Sequence, residues 1–241
     1  YLLKIDKNLN FKLSDYDPRL DKTTMKQFVA VTVPLLIIDV LSNLVSSVQT
    51  MITGRISTYY VSANSIVHMA WNIPNVFSWG IAMAASIMIG NSLGKDDFEK
   101  AKKDSHRFVW VALCIGTFSA VMVQFTLPFL LQFYNVTENT KILARQMGYS
   151  ASFTVFFLAF QSLLCNGVIK SGGHTKNLLH LDLAANWFIA IPLGYIGAFI
   201  FKWPAAIIYL VLRSGNFVKA AYGIYHVHKA DWMQNLSAKT E

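Results

Sequence analysis

Charge is scarce in this sequence. Asp, Glu, Lys and Arg make up 14% of its 241 residues, where a soluble domain carries roughly a quarter. Acidic groups are the scarcer sign, 13 against 21 Lys and Arg, for a formal net charge of +8. Cysteine is rarer still: Cys114 and Cys165 stand alone inside apolar runs, which excludes a disulfide framework and a Cys-x-x-Cys metal or redox site. Both are expected to be buried thiols without redox or metal roles. No His-Glu-x-x-His zinc motif occurs. The sequence is rich instead in hydrophobic residues, 54% of the chain, with a mean hydropathy of +0.40. That combination identifies a polytopic membrane protein. The basic surplus collects in gaps between apolar runs, which suits loops at the inner face of a membrane and not nucleic acid.

Six apolar spans, each long enough for a bilayer, are expected at about 28–52, 61–90, 107–131, 148–169, 178–200 and 203–227. The fold class is therefore all-α, a six-transmembrane-helix bundle over 27–229, preceded by a polar linker (1–26) and followed by a short tail (230–241). Lys and Arg crowd into the linker, the gap around Lys95–Arg107, the gap around Lys170–Lys176, and the tail. The positive-inside rule then places both termini in the cytoplasm, and the expected location is the plasma (inner) membrane. Pro34, Pro74 and Pro192 fall inside spans and mark bends. In the second gap, Gly90 and Gly94 allow close backbone approach, and Asp96 or Asp97 can cap the next helix with Glu99 in its first turn.

Asp39 lies about 16 Å into the first span at helical rise. A carboxylate there costs at least ~2.5 kcal/mol on insertion scales. So short a side chain cannot snorkel, so it needs a basic partner, a bound cation or a proton. Asn43 and Ser46 follow it on the same face, and Asn64, His68, Trp71 and Asn72 make a second polar stripe on the next span. Gln161 adds a polar position on the fourth span. Such stripes line a cavity or make interhelical hydrogen bonds. Asp182 is counted close to the cytoplasmic end of the fifth span, at a different depth from Asp39, with Lys219 and Arg213 as candidate ion-pair partners.

Several stretches carry a resemblance. Gly90-Asn-Ser-Leu-Gly-Lys-Asp-Asp-Phe-Glu-Lys-Ala101, the loop Lys170-Ser-Gly-Gly-His-Thr-Lys176, the helix bearing Asp182, Trp187 and Ile191-Pro192-Leu193, and the ending Trp232-Met-Gln-Asn-Leu236 are spaced along nearly the whole chain. Together they resemble the multidrug and toxic compound extrusion (MATE) family, in which two six-helix lobes form a twelve-helix transporter. Pro34 with Asp39 resembles the start of the second lobe in a bacterial branch. The resemblance implies that this chain is the second lobe and that residues 1–26 are the inter-lobe linker. It implies a missing N-terminal lobe, or a second copy, as partner. It also implies export of drugs or cationic organic metabolites, small organic substrates, in exchange for Na⁺ or H⁺.

Asp39 matches a position that serves the coupling ion in some members, with Asn43 beside it. No other metal site and no cofactor are expected, and the only other partner is the lipid bilayer. Branches with a cation site here often place a second acid on the lobe's fourth helix, and this chain has none between Gly148 and Ile169. The alternatives are a lipid-linked saccharide flippase of related architecture and a non-transporting membrane association module. Intramembrane hydrolysis is disfavoured, because Asp39 and Asp182 differ in counted depth and lack a Tyr-Asp or Gly-x-Gly-Asp setting.

Overall fold

The structure, a computed structural model, describes residues 22–173, 175–229 and 232–233. Most of the expected linker, most of the tail, and His174 lie outside the described residues. Every described element is helical. They are α1 (Lys22–Ile56), α2 (Thr58–Gly94), α3 (Phe98–Phe133), α4 (Glu138–Phe160), α5 (Thr175–Asp182), α6 (Ala205–Leu212) and α7 (Gly215–Lys229). Helix α4 continues without a break through a π-helical stretch, Gln161–Ile169. Helix α5 likewise continues through π-helical Leu183–Ala190 into Ile191–Phe199. Pro192 stands at the start of that last segment, two residues beyond the π-helical stretch. It lacks the N–H that would reach back one turn, and the widened stretch before it accommodates the loss.

Local chemistry sets the boundaries. Ser57 caps α2 by accepting from the Tyr60 N–H at 3.1 Å, and Asp97 caps α3 by accepting from the Lys100 N–H at 3.1 Å. Asp96 takes the left-handed conformation that turns the chain between them, with φ of 57°. Gly90-Asn91-Ser92-Leu93-Gly94 has the Gly-x-Ser-x-Gly spacing of a hydrolase elbow. Ser92, however, lies in the last turns of a helix and donates to the Met88 carbonyl at 3.2 Å. The residues before it form the body of α2, where such an elbow requires a strand.

Among the described residues, five helices are long and apolar enough to cross a membrane. The sixth expected span is divided into α6 and α7. At the junction the N–H groups of Arg213 and Ser214 reach back three residues, to Leu210 and Val211, and Asn216 reaches Arg213. The Leu212 carbonyl thus loses its helical donor, and the Gln49 side chain supplies one at 2.5 Å. Non-helical backbone at membrane depth is tolerated where protein satisfies it in this way. Gly215 lies at this junction, where a Cβ would meet the end of the Asn186 side chain.

Two apolar cores stack along the bundle. One joins Ile52, Tyr60, Val67, Val123, Met147, Val155 and Tyr209. The other joins Ala85, Ile89, Ala112, Leu164, Val168, Val227 and Trp232. Large apolar side chains such as Phe125, Phe133, Phe188 and Val76 point outward, as a lipid-facing surface requires. Three expectations need correcting. Cys114 is exposed on that outer surface, and only Cys165 is buried. Gly90 and Gly94 have open space where a Cβ would stand. Pro128 also lies inside a helix, α3.

The close approaches occur at other glycines. At Gly116 a Cβ would stand 2.9 Å from the Phe156 carbonyl oxygen, whereas at Gly148 it would meet the end of the Leu127 side chain. A methyl at Gly116 therefore presses on backbone, which cannot turn aside. We expect Gly116→Ala to cost about 1–3 kcal/mol. A double-mutant cycle should relieve Gly148→Ala by Leu127→Ala, with much less relief of Gly116→Ala by Phe156→Ala. Equal relief in the two cycles, read from unfolding midpoints, would refute this packing.

Candidate functional site

The polar seam of α1 runs through Asp39, Ser42, Ser46, Gln49 and Thr53, at alternating steps of three and four residues. That periodicity keeps all five on one helical face. Three adjoining cavities open along it. The first, of about 220 Å³, is lined by Asp39, Ser42, Gln161, Asn166, Lys170, Asp182 and Lys219, among others. The second, of about 140 Å³, shares Ser42 and Lys219 with the first and adds Ser46, Gln49, Asn186, Arg213 and Asn216. The third, of about 230 Å³, shares Ser46, Gln49 and Arg213 with the second and adds Thr50, Thr53, Tyr60, Asn64, His68, Trp71 and Tyr209.

Asp39 is exposed on the lobe surface at the mouth of the first cavity. Among the described residues its carboxylate makes no hydrogen bond and no ion pair. Asp182 contrasts with it in every respect. It is buried, and Lys219 Nζ donates to its Oδ1 at 2.8 Å. Asn186 Nδ2 donates to the same oxygen at 2.9 Å, and Ser42 Oγ approaches Oδ2 at 3.4 Å. One carboxylate is committed to structure and the other is available.

This placement overturns the depth count. Asp39 and Asp182 line one cavity, and Ser42, three residues on from Asp39, touches Asp182. Counting from the edge of an apolar run fails because the helices start at different levels: α1 begins at Lys22, well below its apolar stretch, and α5 at Thr175. The second acid near Asp39 thus comes from α5, while α4 contributes the amides of Gln161 and Asn166. A hydrolytic aspartate pair remains unsupported, since Asp182 is held by Lys219 and Asn186.

The other expected residues separate into groups. Ser46, Asn64, His68 and Trp71 meet in the third cavity, and Gln161 stands apart in the first. Asn43 lines neither; its Nδ2 donates to the Asp39 backbone carbonyl at 2.8 Å. Asn72 is exposed and donates to His68 Nδ1 at 3.2 Å. Of the two candidate partners of Asp182, Lys219 makes the pair. Arg213 instead places its guanidinium 5.0 Å from the Trp71 ring centre and 4.8 Å from that of Tyr209. Sequence reasoning passed over Ser42, Gln49, Asn166 and Lys170. The 39-42-46-49-53 seam was a usable signal for the first two.

Comparisons with known proteins agree with one another. A family model described as MatE matches residues 34–196. A multidrug and toxin extrusion protein 1 from Danio rerio is 22% identical over 183 residues, covering 75% of this chain and 30% of the relative. A probable multidrug resistance protein NorM from Buchnera aphidicola is 24% identical over 147 residues, covering 61% of this chain and 32% of the relative. The crystal structure of the Vibrio cholerae MATE transporter VcmN in its bent form superposes with a TM-score of 0.77 at 14% identity. It accounts for 89% of this chain and 48% of that one, a likeness of fold. The chain therefore spans less than half the length of each of these proteins.

Proposed function

The chain belongs to the MatE family, and from that premise we propose that it forms one lobe of a secondary antiporter in the plasma membrane. The antiporter extrudes drugs or organic metabolites in exchange for Na⁺ or H⁺. It works as a transporter and not as an enzyme, with its linker and tail on the cytoplasmic side and a second lobe, or a second copy, completing the cleft.

The observation that carries this reading is the Asp39 carboxylate, unpartnered among the described residues, at the mouth of a polar cavity. An ionised carboxylate at membrane depth is sustained by a cation or neutralised by a proton. Around Asp39, Gln161, Asn166 and Ser42 bring oxygen atoms to the same cavity, and hard oxygens suit hard cations. In alternating access the group takes its ion from one side and releases it to the other while substrate moves in the opposite sense.

The direct test is transport in inside-out membrane vesicles containing the natural protein, with a fluorescent organic dye as cargo. Uptake is expected only while an outwardly coupled Na⁺ or pH gradient is present, and dissipating that gradient with an ionophore should stop it. Uptake that ignored both gradients, or its absence under both, would overturn the proposal.

A further inference from the structure

The third cavity differs from the first in the kind of charge it holds. Among the described residues no carboxylate lines it, and Arg213 is the fixed cation in its wall. The guanidinium lies against the Trp71 and Tyr209 rings, and among the described residues it makes no ion pair. The Tyr209 side chain also takes a hydrogen bond from the guanidinium, and with five N–H donors the group keeps others for a ligand.

The hydrogen-bonding inventory of the cavity points the same way. The hydroxyl protons of α1 are spent on its own backbone: Ser46 donates to the Ser42 carbonyl, Thr50 to that of Ser46, and Thr53 to that of Thr50, at 2.8–3.1 Å. One N–H of the Gln49 amide is spent on the Leu212 carbonyl. The donors left over are different groups. His68, whose Nδ1 is paired with the Asn72 amide, adds a second ring nitrogen that makes no hydrogen bond among the described residues. The Asn64 amide and Arg213 complete the set. A cavity with unspent donors, one fixed positive charge and no acid is built for an anionic acceptor.

We infer that the Arg213 cavity binds the carboxylate group of the transported organic molecule, so that the preferred cargo carries a carboxylate and is not a simple cation. A planar, singly charged carboxylate matches the guanidinium edge in a two-bond geometry and is neutralised by one arginine. A doubly charged phosphate would keep a surplus charge, because among the described residues no second cation lines this cavity. The assignment rests on the antiporter reading for the word cargo, but the binding preference can be measured without transport.

The test uses a rhodamine dye with a free carboxylate and its ethyl ester, which differ in that one charge. Binding to the purified natural protein is followed by fluorescence anisotropy, and efflux from cells is followed in parallel. The wild type is expected to bind the free acid at least about tenfold more tightly than the ester, a difference of one charge-assisted contact. Arg213→Gln should erase that preference. Arg213→Lys, which keeps the charge and loses the planar edge, should restore part of it and show that the site still folds. Benzoate should compete with the acid dye on wild type and not on Arg213→Gln.

Equal affinity of wild type for acid and ester would overturn the inference. So would a preference that survives Arg213→Gln, or an Arg213→Gln that weakens both dyes equally. If no efflux occurs but the acid preference is present and depends on Arg213, the binding site stands and the antiporter reading falls. If efflux occurs without that preference, the reverse holds.

Discussion

Replacing Asp39 with Asn is expected to reduce ion-driven efflux to the level of cells lacking the protein while leaving its amount in the membrane unchanged. The two halves of this result have separate physical origins. Asn has nearly the shape of Asp but cannot be ionised, so it cannot hold Na⁺ as a counter-charge and cannot take up and release a proton. The coupling step thus loses its charge entirely. Folding loses nothing comparable, because the Asp39 carboxylate makes no hydrogen bond or ion pair among the described residues. The local bond at that position, from Asn43 to the Asp39 backbone carbonyl, does not involve the substituted group. A change in unfolding stability within about 0.5 kcal/mol is therefore expected, as for a surface site. Asp39→Glu keeps a carboxylate and should keep measurable efflux. Gradient-driven efflux of normal rate by Asp39→Asn would remove Asp39 from the coupling role, and retained ion binding in the variant would move the ion site elsewhere in the protein.

Why Asp39 could be singled out from sequence, and Asp182 could not be placed, has one explanation. A lone acid inside an apolar run is a one-dimensional signal: the cost of its burial is written in its neighbours. Which other residues share its cavity depends on how far each helix is shifted along its axis, and an apolar run does not encode that. The start of α1 at Lys22 and of α5 at Thr175 sets the shift that brings Ser42 to Asp182.

The same distinction holds elsewhere in the chain. The all-helical, membrane-embedded architecture follows from composition and run length, and five long apolar helices are present. The division of the last span at Arg213 was hidden, because the donor that satisfies the freed Leu212 carbonyl, Gln49, lies 163 positions from Leu212 in the chain. The polar face of α1 was legible but was traced through Asn43, whereas the seam that meets the cavities passes through Ser42 and Gln49. Arg213 was read as a candidate partner for a nearby acid. Its aromatic surroundings come from α2 and α6 together, a coincidence of packing that spacing alone does not carry.

The second large effect expected is on stability, at Lys219. The side chains of Lys219 and Asp182 are 14% and 6% exposed, with Nζ and Oδ1 2.8 Å apart. Removing one member of such a buried pair leaves the other charged and without its counter-charge, a loss of roughly 3–5 kcal/mol in measured cases. Lys219→Met is expected near the lower end, because Asn186 continues to donate to Asp182 and Ser42 lies within reach. Lys219→Met combined with Asp182→Leu removes both charges, and a buried pair exchanged for apolar groups is often neutral. The double variant should therefore recover most of what the single variant loses, and the cycle of unfolding midpoints should show strong coupling. Simple additivity of the two substitutions would mean that the contact carries no net interaction.

The pair also stands between two charge environments, since Lys219 lines both the Asp39 cavity and the one that leads to Arg213. Losing its positive charge leaves two carboxylates facing one cavity, and like charges there repel with no cation between them. For that reason Lys219→Met should slow gradient-driven efflux, and the double variant, which removes both charges, should restore much of it. Equal efflux rates for Lys219→Met and wild type at equal amounts of protein in the membrane would show that Asp39 does not sense the charge at Asp182.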